Sequence, residues 1–182
     1  MRNRTCLVLG AWMLVALNGC ADVDVDDNSE QVGVAEQAVT AGRELRLRMI
    51  LAGQLEEGAD EIFLTARQRG SSSMNIIRPP GDPDYWRFDT PGSSLTMNQH
   101  VGTIVASGEN LLVHVMEQDD PPIFPNADLG EMIVFLDGAH TPHFVDTSTV
   151  QYKGINENGW HHLRFHVGAI YHVYFSVGAY QL

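Results

Sequence analysis

The chain has only two cysteines, Cys6 and Cys20, in 182 residues. They form no Cys-x-x-Cys pair, and no spacing here reads as a zinc ribbon or a disulfide framework. There is no nucleophile elbow, no His-Glu-x-x-His and no Gly-rich phosphate loop, so the common hydrolase, metalloprotease and nucleotide-binding signatures are missing. Bases are few: 11 Lys and Arg against 23 Asp and Glu, a formal charge of −12. That balance argues against nucleic acid, and against a purely electrostatic hold on anionic lipid. No stretch of about ten residues keeps a helical period. No internal repeat and no second folded domain is visible.

What is present begins at the start of the chain. Arg2 and Arg4 make a positive opening without an acid. Cys6 to Leu17 is an uncharged, mostly apolar run, shorter than the roughly 20 residues a membrane-spanning helix needs. A charged start, a short apolar run and small residues after it form a secretory signal. Leu17-Asn18-Gly19-Cys20 resembles the lipobox of bacterial lipoproteins, although Asn18 stands where that family usually has a small residue. The resemblance implies removal of residues 1–19 and lipid attachment at Cys20. It also implies an exported protein anchored to a membrane of the cell envelope through that lipid, on its periplasmic or surface face. The alternatives are an ordinary signal cleaved nearby, which would leave a secreted protein, or an N-terminal membrane helix. Loss of Cys6 and lipidation of Cys20 would leave the mature domain without a disulfide in a compartment that permits them.

Residues 20–42 read as an acidic tether. Asp22, Asp24, Asp26, Asp27, Glu30 and Glu36 meet no Lys or Arg before Arg43, and no aromatic residue. Such a segment cannot bury enough apolar surface to offset its ordering entropy. The alternation from Asp22 to Asp26 is not an EF-hand loop, because Asp27 and Gly33 occupy the places that need Gly and Glu. Setting aside Arg2, Arg4 and the six tether acids leaves 17 acids against 9 bases from Ala41 onward, a formal −8.

Residues 43–182 show short apolar runs separated by Gly, Pro, Asn and Asp. This rhythm predicts an all-β, antiparallel β-sandwich of about eight strands. Leu45, Leu47, Met49 and Leu51 alternate at period two and read as one buried face. Further strands are expected around Ile62 to Arg67, Met74 to Arg78, Tyr85 to Phe88, Val101 to Ala106, Leu111 to Met116, Met132 to Leu136 and Val150 to Lys153. Trp160 to Val167 and Ile170 to Val177 form a final hairpin. A three-residue turn, Gly168 to Ile170, brings their apolar faces together and sets His166 opposite His172 and Arg164 opposite Tyr174.

Two acidic loops carry a second resemblance. Ala59-Asp60-Glu61-Ile62-Phe63 follows the first strand. Glu117-Gln118-Asp119 follows Val113 to Met116, and Asp128-Leu129-Gly130-Glu131 opens the next strand. The pattern resembles the C-two domain, the calcium-dependent lipid-binding sandwich, over most of Arg43 to Leu163. The resemblance implies calcium as cofactor, held by Glu57, Asp60, Glu117, Asp119 and Asp128 where the loops meet. Calcium takes about six to eight oxygens in flexible geometry. Glu117 replaces the first Asp of the family's pair, Glu56 or Glu57 replaces its early Asp, and Ala127 lies where its last ligand usually falls. The same acids also suit strand-end turns.

Eight histidines are present. His162, His166 and His172 on the last hairpin are a half-formed zinc set, or the polar outer face of that hairpin. These readings converge on an exported lipoprotein whose domain is a non-enzymatic binding module for calcium or for a protein or carbohydrate partner. The alternatives are a small secreted hydrolase using loop carboxylates, and a structural envelope lipoprotein with no ligand.

Overall fold

The computed structural model describes residues 42–56, 58–81, 84–104, 110–118 and 127–179. The expected signal, Cys20 and all of the expected tether but its last residue lie outside these, as do Glu57 and Asp119. Eleven strands and no helix occur among the described residues. They are β1 (Arg43–Gln54), β2 (Asp60–Gln68), β3 (Asn75–Ile77), β4 (Trp86–Phe88), β5 (Ser94–Ile104), β6 (Leu111–Glu117), β7 (Ala127–Leu136), β8 (Pro142–Val145), β9 (Val150–Ile155), β10 (His161–Val167) and β11 (Ala169–Ala179). One sheet has the order β5-β1-β11-β10-β9. The other runs β3-β2-β6-β7-β8, with β4 also paired to β2. Every pairing is antiparallel. The fold is a β-sandwich of two antiparallel sheets.

More strands are present than the spacing suggests, for a physical reason. β8 and the first half of β5 lie at sheet edges and are largely polar or exposed, so they lack the apolar alternation that marks a half-buried strand. β8 opens with Pro142, a residue tolerated at the first position of an edge strand.

The core is the inward face of both sheets. Leu45, Leu47, Ile62, Leu64, Val113, Val115, Phe165, Tyr171, Val173 and Phe175 are fully buried. The expected single face of β1 is corrected at its midpoint. The pairings to β5 and to β11 both shift between Leu47 and Met49. This bulge reverses the alternation, so that Ile50 and Ala52 turn inward while Met49 and Leu51 turn outward.

The last hairpin is also tighter than the three-residue turn. Val167 pairs with Ala169, and Gly168 alone makes the reversal at a φ of 67°. Phe165 therefore faces Tyr171, and Leu163 faces Val173. This register lies two residues from the expected one, and an even slip leaves the apolar faces together. Its consequence is local: His166 stands opposite Ile170, Arg164 opposite His172, and His162 opposite Tyr174.

The two sheets are joined by more than apolar packing. Gln68 Nε2 of β2 donates to the Thr103 carbonyl of β5 at 2.5 Å. Phe144 of β8 stacks on Tyr152 of β9 at 5.3 Å between centroids, and lies 4.5 Å from the ring of His161.

Candidate functional site

The described acids of the expected calcium set, Asp60, Glu117 and Asp128, divide between two places. Asp60 and Glu117 are 0% and 6% exposed and point between the sheets at one end of the sandwich. They are diagonal neighbours on one face, two residues apart in register, since Ile62 pairs with Glu117. Tyr171 donates its hydroxyl to Asp60 Oδ2 at 2.5 Å, and the Glu56 backbone N–H reaches the same oxygen at 3.3 Å. Burial pushes the Tyr171 phenol far above its usual range; the bond to Asp60 and the charges of Asp60 and Glu117 push it further.

Asp128 is not part of that group. It stands opposite Met116 on the outward face of the six-stranded sheet. One oxygen accepts from the Gly130 N–H at 2.9 Å, and the other meets His114 Nδ1 at 2.9 Å. His114 Nε2 lies 3.0 Å from Glu131, so the imidazole is held between two carboxylates. Among the described residues no group of three His, Cys, Asp or Glu side chains is placed to hold a metal ion. Glu57 and Asp119, outside those residues, do not enter that statement.

The histidines of the outer five-stranded face also regroup. His162 Nε2 and His172 Nδ1 are 2.8 Å apart, with His162 stacked on Tyr174 at 4.5 Å. Burial lowers both pKa values first. His172 and Lys153 lower His162 further, and Arg164 and Lys153 lower His172 further. One imidazole can then donate to the other. His166 is not brought onto this pair, and its buried Nδ1 has no hydrogen-bond partner among the described residues.

The feature that sequence reasoning missed lies on the outward face of the six-stranded sheet. Phe63 and Thr65 of β2 face away from the core, yet they are only 9% and 6% exposed. Beside them in the sheet, β3 sets Ile76 opposite Thr65, and Ser72, Met74, Arg78 and Asp84 line the same groove; Met74 and Ile76 are 56% and 49% exposed. Phe63 pairs with Met116 and Thr65 with His114 of β6, which continue the floor. The result is a groove of about 640 Å³. One wall carries the Arg78–Asp84 ion pair at 2.5 Å, and the other carries His114 and Asp128. Volume, apolar lining and a few polar rim groups match the usual character of a ligand cleft. A signal for it does exist in the sequence. Ile62-Phe63-Leu64 is apolar on both strand faces, and such a strand needs a cover on both sides.

Compared with protein-family models and with curated proteins, the chain matches none.

Proposed function

We propose that this chain is an exported lipoprotein of the cell envelope, tethered through Cys20, whose sandwich is a non-enzymatic binding module. Its ligand lies in the groove over β2 and β6. The observation that carries this reading is the formed groove floored by Phe63 and Thr65, in which Met74 and Ile76 stay about half exposed. Apolar surface left open in a formed cleft is what a ligand covers on binding. The test is titration with a neutral apolar dye such as Nile red. Bound dye brightens in the wild type, and Met74→Asp with Ile76→Asp removes the signal while far-ultraviolet circular dichroism is unchanged. A signal equal in both proteins sinks the groove. Mass spectrometry of the mature N-terminus tests the lipid at Cys20 separately.

A second reading is calcium at the acidic end of the sandwich, favoured by the adjacency of Asp60 and Glu117. A cation held by the folded state raises the melting temperature. Unfolding with excess calcium and with chelator at the same temperature removes this reading.

A further inference from the structure

We infer that the groove's ligand is a single-headed amphipathic anion, with its apolar body on Phe63 and Met116 and its acidic head on Arg67. This rests on the groove reading above and names the chemistry that the groove selects. The charges along the groove are otherwise satisfied within the protein. Arg78 is bridged to Asp84 at 2.5 Å, and His114 lies between Asp128 and Glu131 at 2.9 and 3.0 Å. Arg67 differs. It is exposed, it lines the groove, and among the described residues no acidic side chain pairs with it. Acids outnumber Lys and Arg 23 to 11 in the chain, so an arginine with no acidic partner among the described residues, beside an apolar floor, is the less expected outcome.

The geometry gives the ligand a direction. Arg67, Thr65 and Phe63 succeed one another on the outward face of β2. The four steps of strand from Arg67 to Phe63 span roughly 13 Å, which is the length of apolar body the floor accommodates beyond the head. A guanidinium presents a planar fork that matches a carboxylate or sulfonate oxygen pair. A neutral head leaves that fork to water, and a cationic head meets repulsion.

The test uses the full mature protein and three twelve-carbon probes below their micellar concentrations: laurate, dodecanol and dodecyltrimethylammonium. Each competes with bound Nile red. Laurate is expected to bind at least about tenfold more tightly than dodecanol, the size of one charge-assisted hydrogen bond, and the cation more weakly than either. Arg67→Gln erases the laurate preference and leaves dodecanol unchanged, Arg67→Lys keeps part of it, and Arg69→Gln outside the groove keeps all of it. Equal binding of laurate and dodecanol by the wild type, or an undiminished preference in Arg67→Gln, overturns the anionic head and spares the groove. Failure of all three probes and the dye to bind the wild type overturns the groove as well.

Discussion

Tyr171 and Asp60 are 111 positions apart, and the tyrosine hydroxyl donates to the aspartate carboxylate at 2.5 Å in the interior. Tyr171 belongs to the five-stranded sheet and Asp60 to the six-stranded one, so this bond ties the two layers at one end of the sandwich. The Tyr171 ring also meets Phe88 edge-on at 5.7 Å. A carboxylate at 0% exposure is costly without such donors. Tyr171→Phe keeps the ring packing and removes one donor. It is expected to destabilise the domain by about 1–3 kcal/mol, read from urea unfolding. An unchanged midpoint would show that the bond contributes nothing.

The same pair sets an alkaline limit. The folded protein holds the Tyr171 proton more tightly than the unfolded chain does. Its contribution is fully present below the ordinary tyrosine range, about pH 10, and is lost as pH rises above it. Melting temperature is expected to fall above that pH, and to fall less steeply in Tyr171→Phe. Identical slopes for the two proteins would refute the assignment.

An acid limit comes from the other sheet face and from the aromatic contact at the sandwich edge. Burial lowers His161, His162 and His172 below the ordinary histidine range. The unfolded chain then binds protons first. Stability is present above about pH 6.5 and declines as pH falls below it. Calorimetry near pH 6 in buffers of different ionisation enthalpy should detect proton uptake on unfolding. Replacing both His162 and His172 with Asn should reduce it.

The bulge in β1 separates two leucines that sequence alternation treats as equals. Leu47 is fully buried, whereas Leu51 lies beyond the bulge on the outward face. Leu47→Ala is expected to cost about 2–5 kcal/mol, and Leu51→Ala about 1 kcal/mol or less. Equal losses in chemical denaturation would mean that β1 runs straight.

Gly130 sits where β7 comes close to the start of β9. Its φ is 138°, and an added Cβ would lie 2.8 Å from Thr149 Oγ1 and 2.9 Å from Val150 Cγ2. Gly130→Ala combines backbone strain with overpacking and should cost about 2–4 kcal/mol. Gly70 has a φ of 86° but open space around it, so Gly70→Ala should cost about 1–2 kcal/mol. Thermal unfolding of the two variants side by side checks the order.

Much of this architecture is legible in the residues themselves. Period-two alternation locates β2, β6, β7, β10 and β11, because a strand with one face on the core must repeat every second residue. The turn residues between the runs then limit the fold to a sandwich or barrel. Met49 and Leu51 mislead because a bulge changes facing without changing composition. Gly168 misleads because registers two residues apart satisfy the same apolar pattern, and only the backbone of that glycine selects the tighter one.

The candidate sites were less legible. The sequence by itself determined that Ile62-Phe63-Leu64 puts apolar residues on both faces of β2, that the domain is acidic, and that carboxylates flank the ends of β2 and β6. Tertiary structure decided where each of those went. It turned Asp60 and Glu117 inward near Tyr171, gave Asp128 to His114, and set Ile76 opposite Thr65, with Met74 and Phe63 on the same groove and Arg67 at its rim. The physical reason is the difference in range. Alternation and turn chemistry act between neighbours in the chain. A groove, a buried acid's donor and an arginine's counter-charge depend on residues that only folding brings together.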